Sequence, residues 1–176
     1  MIFSRGDLSL SEGAMAWNGR KGILMNYILY NPLSGKKDGK KIAESIARGA
    51  AEGARVIDMT EKIDYNELFD SLGENDSLYV LGGDGTLNRF VNELGDRELN
   101  ASVYYYPSGS GNDFAKDVNP EAGDSAFKIN DYIKGLPTVV ANGVKSRFIN
   151  GIGYGLDGFC CAVGDREREN NKKKIN

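Results

Sequence analysis

From Asn26 onward, apolar residues follow two alternating rhythms. Short runs of β-prone residues give way to stretches in which apolar positions recur three or four apart. Tyr27–Tyr30 is the first run and predicts a strand, followed by the turn-rich NPLSGKKDGK with Pro32, Gly35 and Gly39. Ile42 and Ile46 stand four apart with Ala43, Ala47 and Ala50 beside them, so a helix is expected over 40–51, closed by Gly53. Val56 and Ile57 make a second short strand. Tyr65, Leu68, Phe69 and Leu72 predict a second helix, closed by Gly73. Ser77–Leu81 (SLYVL) carries no charge, as a buried parallel strand should. Leu87, Phe90, Val91 and Leu94 mark a third helix. Val103–Tyr106 is a fourth strand, stopped by Pro107, and FAKDV after it is helix-like. Strand and helix alternating in this way predict a parallel α/β sheet.

The pattern changes past Gly135. Thr138–Ala141, then Asn142-Gly143, then Lys145–Ile149 read as a hairpin with an Asn-Gly turn. The ends lack either rhythm. Residues 1–24 read as a tail, with Met25 a natural start directly before a strand. The closing DREREN-NKKK run reads as a solvated end.

Composition narrows the chemistry. The 176 residues include 22 Lys+Arg, 25 Asp+Glu and no His, for a net charge of −3. Without His there is no Ser-His-Asp triad, no Cys-His nucleophile and no His-ligated zinc; acid–base work falls to carboxylates, Lys, Tyr or water. Cys160 and Cys161 are adjacent and form no disulfide framework. No run approaches 18 apolar residues and the N-terminus has no apolar signal stretch, so the chain reads as cytoplasmic. The slightly acidic balance argues against nucleic acid as a partner.

The 23 glycines are about twice the usual share and fall in clusters after apolar runs. LGGDGTLN, Leu81–Asn88, sits between a buried-type strand and an amphipathic helix, where open α/β sheets bind ligands. The glycines let the backbone approach a phosphate and the helix start offers free N–H groups. Asp84 in that loop would repel a bare phosphate; a Mg²⁺ between them, or a hydroxyl to position, gives it a role. The plainer alternative is a tight turn with Asp84 as a helix cap. PSGSGND (107–113) and NPLSGKK (31–37) also follow strands. Ser34, Lys36 and Lys37 in one, and Ser108, Ser110, Asn112 and Asp113 in the other, supply polar groups. Three such loops at strand carboxyl ends point to one nucleotide site. Lys36, Lys37, Lys40 and Lys41 suit either attraction to ATP or an anionic membrane surface, or simply a solvated helix face. Tyr104–Tyr106 read as strand and core residues.

NPLSG (31–35), GGDGTLN (82–88) and PSGSGNDFA (107–115) together resemble the diacylglycerol kinase and sphingosine kinase superfamily of lipid kinases, the soluble bacterial diacylglycerol kinases above all. The resemblance covers about 25–164. GGDGT alone is shared with NAD kinases and, loosely, phosphofructokinases. The resemblance implies an open parallel-sheet α/β nucleotide domain over 25–136, followed by the start of a truncated β-rich substrate domain over 137–176. It implies ATP and Mg²⁺ as cofactors, and a lipid alcohol, diacylglycerol first, met peripherally at a membrane surface. The γ-phosphoryl of ATP would pass to that alcohol. Asn31, Pro32, Leu33, Ser34 and Gly35, with Gly82, Gly83, Asp84, Gly85, Thr86, Leu87 and Asn88, would line the ATP site. Thr60, Ser110 (where the family usually has Thr) and Asn112 would add contacts. Asp84 would be catalytic, through Mg²⁺ or as base, and Asp113 would join it at the metal. FINGIGYGLDG (148–158) resembles a later family segment and makes Asn150 and Asp157 candidates for the lipid side. One departure is Val-Val-Ala-Asn at 139–142, where the family often has an acidic residue. The family also continues for more than a hundred residues into a β-rich domain, leaving the hairpin's edges unpaired here.

Three other readings compete. GYGLDG (153–158) spells G-x-G-x-x-G but opens no first strand–helix unit, which disfavours a Rossmann dehydrogenase. An NAD kinase shares GGDGT but fits the other two loops poorly. A non-catalytic remnant that binds ATP is the third. The sequence leaves room for a homo-oligomer.

Overall fold

The computed structural model describes residues 24–35, 38–50, 53–121, 123, 125–153, 155, 158–160, 163–164 and 166–167. The expectations for residues 1–23, Lys36, Lys37, Asp157, Cys161 and the charged run from 168 lie outside these residues.

The strands are β1 (Asn26–Tyr30), β2 (Ala54–Asp58), β3 (Ser77–Gly82) and β4 (Ser102–Pro107), interleaved with helices α1 (Gly39–Gly49), α2 (Tyr65–Ser71) and α3 (Asp84–Leu94). Helix α4 (Asp113–Val118) and strands β5 (Phe127–Lys128), β6 (Thr138–Ala141) and β7 (Val144–Arg147) follow. One five-stranded sheet runs in the order β2-β1-β3-β4-β5. The first four strands are parallel, and β5 pairs antiparallel with Tyr104 and Tyr105 of β4. The expected parallel sheet is therefore mainly parallel, with one short antiparallel edge. Two residues carry no period, so β5 left no pattern to read.

The apolar runs of β1 and β3 are central because they are buried on both faces. Ile28, Tyr30 and Leu81 pack under Ala43, Ile42 and Ile46 of α1. Leu29, Leu78, Val80, Val103 and Tyr105 face the other way, against Leu68 and Phe69 of α2 and Leu87, Phe90 and Val91 of α3. Each large apolar side chain so buried contributes roughly 1.5–3 kcal/mol of transfer free energy.

Boundaries differ from expectation where caps decide them. Helix α1 ends at Gly49 with an extended Ala50 at its cap, and Gly53 (φ 137°) belongs to the approach to β2 instead. Asp64 caps α2 by accepting the Glu67 N–H at 3.0 Å. Pro107 does not stop β4 early; it is its last residue, paired with Gly82, where a missing N–H costs no ladder bond.

The β6–β7 hairpin forms a separate two-stranded sheet. Asn142 (φ 52°) and Gly143 (φ 78°) both take the left-handed backbone that a tight Asn-Gly hairpin turn requires. Asn92 of α3 anchors the hairpin. Its Nδ2 donates to the Arg147 carbonyl at 2.9 Å and its Oδ1 accepts the Arg147 N–H at 2.8 Å. Asp96 adds ion pairs to Arg147 and Lys145. No helix among the described residues is long and apolar enough to cross a membrane.

Candidate functional site

The chain leaves β1 for β2 on one side and then crosses to β3 on the other. The order 2-1-3-4 therefore reverses between β1 and β3, and a crevice opens outside their carboxyl ends. Three loops meet there: 31–35 after β1, 82–86 after β3 and 107–112 after β4.

They meet through backbone. A Cβ on Gly109 would lie 2.4 Å from the Gly83 Cα, so the two loops touch main chain to main chain. Gly35 (φ +51°) packs so closely on the Ser108 carbonyl that a Cβ would stand 1.8 Å from its oxygen. Across the switch point, Asn31 Nδ2 donates to Thr86 Oγ1 at 3.0 Å. The Gly82 carbonyl accepts from the Ser108 N–H at 2.9 Å and from the buried Tyr105 hydroxyl at 3.0 Å. Burial, with the Asp84 charge adding to it, pushes the Tyr105 hydroxyl far above its ordinary pKa, so it stays a donor.

Asp84 is the first residue of α3, but Gly83 is the cap and makes no side-chain cap bond. The Asp84 carboxylate instead reaches across to α4, accepting the Asp113 N–H on Oδ2 and the Phe114 N–H on Oδ1, both at 3.0 Å. The expected alternative, Asp84 as a cap, is thus realised on the neighbouring helix. A carboxylate held by two backbone donors has one orientation. Gly111 leaves the space beside it open: its missing Cβ would be 3.5 Å from Asp84 Oδ2 and 3.6 Å from Asp113 Oδ2. Asp113 Oδ1 accepts from Lys116 Nζ at 3.2 Å, which leaves its Oδ2 and Asp84 Oδ2 on the cradle, a donor pair suited to Mg²⁺, which takes one or two protein carboxylates and fills its octahedron with phosphate and water. Among the described residues no cluster of three or more metal-ligating side chains occurs, so a metal here would share its coordination with a phosphate.

The other expected residues divide. Asn31 is half-buried, and its Oδ1 accepts the Leu33 N–H at 2.9 Å, shaping the turn through Pro32. Ser34 donates inward through both its N–H and its hydroxyl to the Asn31 carbonyl. Leu33 is exposed. Thr86 and Leu87 are buried, and the N–H groups of both go to the Gly83 carbonyl. Asn88 lies one turn along α3 from Asp84, with a buried Oδ1 that has no partner. Asn112 stiffens its own loop, accepting from the Gly109 N–H and donating to the Gly109 carbonyl. Gly85 and Ser110 are exposed. Thr60 stands one strand away, at the end of β2, and Asn150 is exposed beyond the hairpin.

A cleft of about 360 Å³ adjoins the loops, lined in part by Asp38, Ile42, Tyr106, Ser108 and Ser110. The Ser108 hydroxyl is buried without a partner. Asp38, Ile42 and Tyr106 were not foreseen, because only the packing of α1 on the sheet brings them to the loops. Asp58 was not foreseen either. It accepts from Thr60 and from the Tyr30 hydroxyl. Burial works to raise its pKa, but those hydrogen bonds and the Lys40 charge outweigh it and hold the carboxyl below its ordinary value.

Three staphylococcal proteins carry the name "Putative lipid kinase". The one from Staphylococcus haemolyticus is 29% identical over 104 residues, which is 57% of this chain and 32% of that protein. The one from Staphylococcus carnosus is 35% identical over 81 residues, 44% of this chain and 26% of that protein. The one from Staphylococcus epidermidis is 46% identical over 43 residues, 24% and 14% of the two. The chain thus spans at most about a third of the curated relatives it matches. A family model, the diacylglycerol kinase catalytic domain, matches residues 26–143 and takes in all three glycine loops. On that match, over well more than half of its length, the chain belongs to the diacylglycerol kinase catalytic domain family of lipid kinases.

Proposed function

We propose that the protein transfers the γ-phosphoryl group of ATP to a lipid hydroxyl at a membrane surface, with diacylglycerol the acceptor and phosphatidic acid the product. The observation that carries this reading is the meeting of the three loops beside the Asp84–Asp113 cradle. In the reaction the lipid hydroxyl oxygen bonds to the γ-phosphorus. The bond from that phosphorus to the β–γ bridging oxygen breaks, ADP leaves, and the hydroxyl proton is lost. Such transfer has a loose transition state, so positioning and charge neutralisation do most of the work. The backbone N–H groups of Asp84 and Gly85 and of Ser110–Asn112, which have no partner among the backbone bonds of these loops, would orient the phosphates. Asn31 and Thr86 would hold the loops in register. Asp84 and Asp113 would hold Mg²⁺, which neutralises phosphate charge when bound. Asp84 would act either through that Mg²⁺ or as the base that takes the hydroxyl proton. Asn150 and Asp157 are assigned to the lipid side.

The test is labelled ATP offered with diacylglycerol, a sphingoid base or NAD, on this chain and on one extended to the length of its relatives. Labelled phosphatidic acid is the expected product. Labelled NADP would overturn the lipid reading, and a labelled sphingoid base would overturn the choice of diacylglycerol. Asp84→Asn in the active form should lower kcat by about 10²-fold or more. Unchanged kcat would remove Asp84 from the site.

A further inference from the structure

Another cavity opens at the opposite edge of the sheet from the glycine loops. It holds about 330 Å³ between the end of α3, the start of β4, the turn at 130–136 and the β6–β7 hairpin. Asp84 and Leu94 lie at opposite ends of α3, roughly 15 Å apart, so this cavity is no part of the crevice. Its floor is apolar. Leu94 and Val103 belong to the buried core, and Ile133 and Leu136 pack against it. Its frame is fixed. Asn130 serves the start of β4 as a strand partner would, accepting the Val103 N–H at 2.7 Å and donating to the Ala101 carbonyl at 2.9 Å. Asn92 holds the hairpin wall. The volume falls at the lower end of small-molecule sites, roughly 300–1,000 Å³.

The rim is cationic. Four cations and two carboxylates line the cavity, an excess of two positive charges in a chain of net charge −3. Three of the four cations are committed. Arg147 and Lys145 both pair with Asp96, and Arg97 donates to the Asn66 side-chain oxygen. Arg147 also lies over the end of α3, where a Cβ on Gly95 would stand 4.0 Å from its Nη1, and helix ends of this kind favour a cation. Lys134 has no hydrogen-bond or ion-pair partner among the described residues, and the exposed Glu98 on the same rim makes no ion pair with it.

We propose that this cavity binds a small monocarboxylate with an apolar body. The carboxylate meets Lys134, and the apolar part lies on Leu94, Val103, Ile133 and Leu136. One uncommitted cation matches one negative charge, and the surplus of positive charge on the rim favours an anion over a neutral molecule. The hairpin supplies one wall, and α3 and β4 supply the others. The bound acid therefore fastens the hairpin to the five-stranded sheet, at the far end of the helix that begins with Asp84.

The experiment titrates the purified chain with octanoate, octan-1-ol and acetate by calorimetry. Octanoate should bind once per chain, and each of the other two at least tenfold more weakly, octan-1-ol for want of charge and acetate for want of apolar area. Lys134 is exposed, so its substitution spares the fold. Lys134→Gln should weaken octanoate by about tenfold and leave octan-1-ol within twofold, and Lys134→Arg should keep most of the octanoate affinity. With octanoate at about ten times its Kd, amide exchange at the Arg147 N–H should slow by about tenfold. Equal affinity for octanoate and octan-1-ol would remove the carboxylate from the proposal, and equal affinity for acetate would remove the apolar floor. Octanoate binding that ignores Lys134→Gln, or that leaves Arg147 exchange unchanged, would place the acid elsewhere and overturn the site. Absence of octanoate binding at millimolar concentration would overturn it outright.

Discussion

Asp84 shows how one side chain serves two purposes. It borders the cradle at Gly111, and its two oxygens also hold the first N–H groups of α4. The place of Asp84 in the turn after β3 was legible in the motif, whereas its hold on α4 was not, because that contact joins residues 29 and 30 positions apart. Glycines divide in the same way. Gly109→Ala would force a methyl against the Gly83 backbone and Asn112, at a cost of about 1–3 kcal/mol. Gly85→Ala meets no atom within 4 Å and lies in a helix, so its Tm should hold or rise. Thermal unfolding of the pair checks this contrast, which the repeated letter G cannot convey. Asp58 gives a pH prediction. Its folded pKa is depressed, so it stabilises the fold above the ordinary carboxylate range and loses that contribution as pH falls through the folded value. Urea unfolding should show Asp58→Asn less stable than wild type near pH 7. The gap should narrow as pH falls below the unfolded Asp value of roughly 3.9 and through the lower folded value.

Among the elements, those with a long period were read correctly and those set by a few atoms were not. The 3-4-7 spacing of apolar residues foretold α2 and α3, because a helix must bury one stripe. Strand β5 and the end of α1 depend on pairing and capping that no periodicity reports. Helix α3 is the element that ties the molecule together. It begins at Asp84 beside the loops and carries Asn92 under the hairpin two turns later. Asn92 imitates a strand edge toward Arg147, donating and accepting as a backbone would. Asn92→Ala should release the hairpin locally. Amide exchange at the Arg147 N–H should quicken by at least tenfold, while exchange in β1 and β3 stays unchanged. Equal acceleration throughout would mean that Asn92 supports the whole core and not the hairpin alone.

For the molecule as a whole, the nucleotide half of the argument and the lipid half stand differently. The loops, the cradle and the cleft lie within residues 31–113, and the family match spans them. The lipid side rests on the resemblance alone; among the described residues the hairpin exposes Val140 and Val144. The expected outcome is that the purified 176-residue chain binds ATP measurably but phosphorylates diacylglycerol far more slowly than a chain extended to the relatives' length. Comparable turnover by the two would show that the 176 residues suffice for catalysis.

The contact between Gly83 and Gly109 has a consequence for binding kinetics. A junction built without side chains has no rotamers to freeze, and its two loops are already seated in the free protein. A ligand arriving there loses little affinity to the ordering of its host. Association should then be limited by encounter and orientation, on the order of 10⁵–10⁷ M⁻¹s⁻¹, with no slower phase from loop closure.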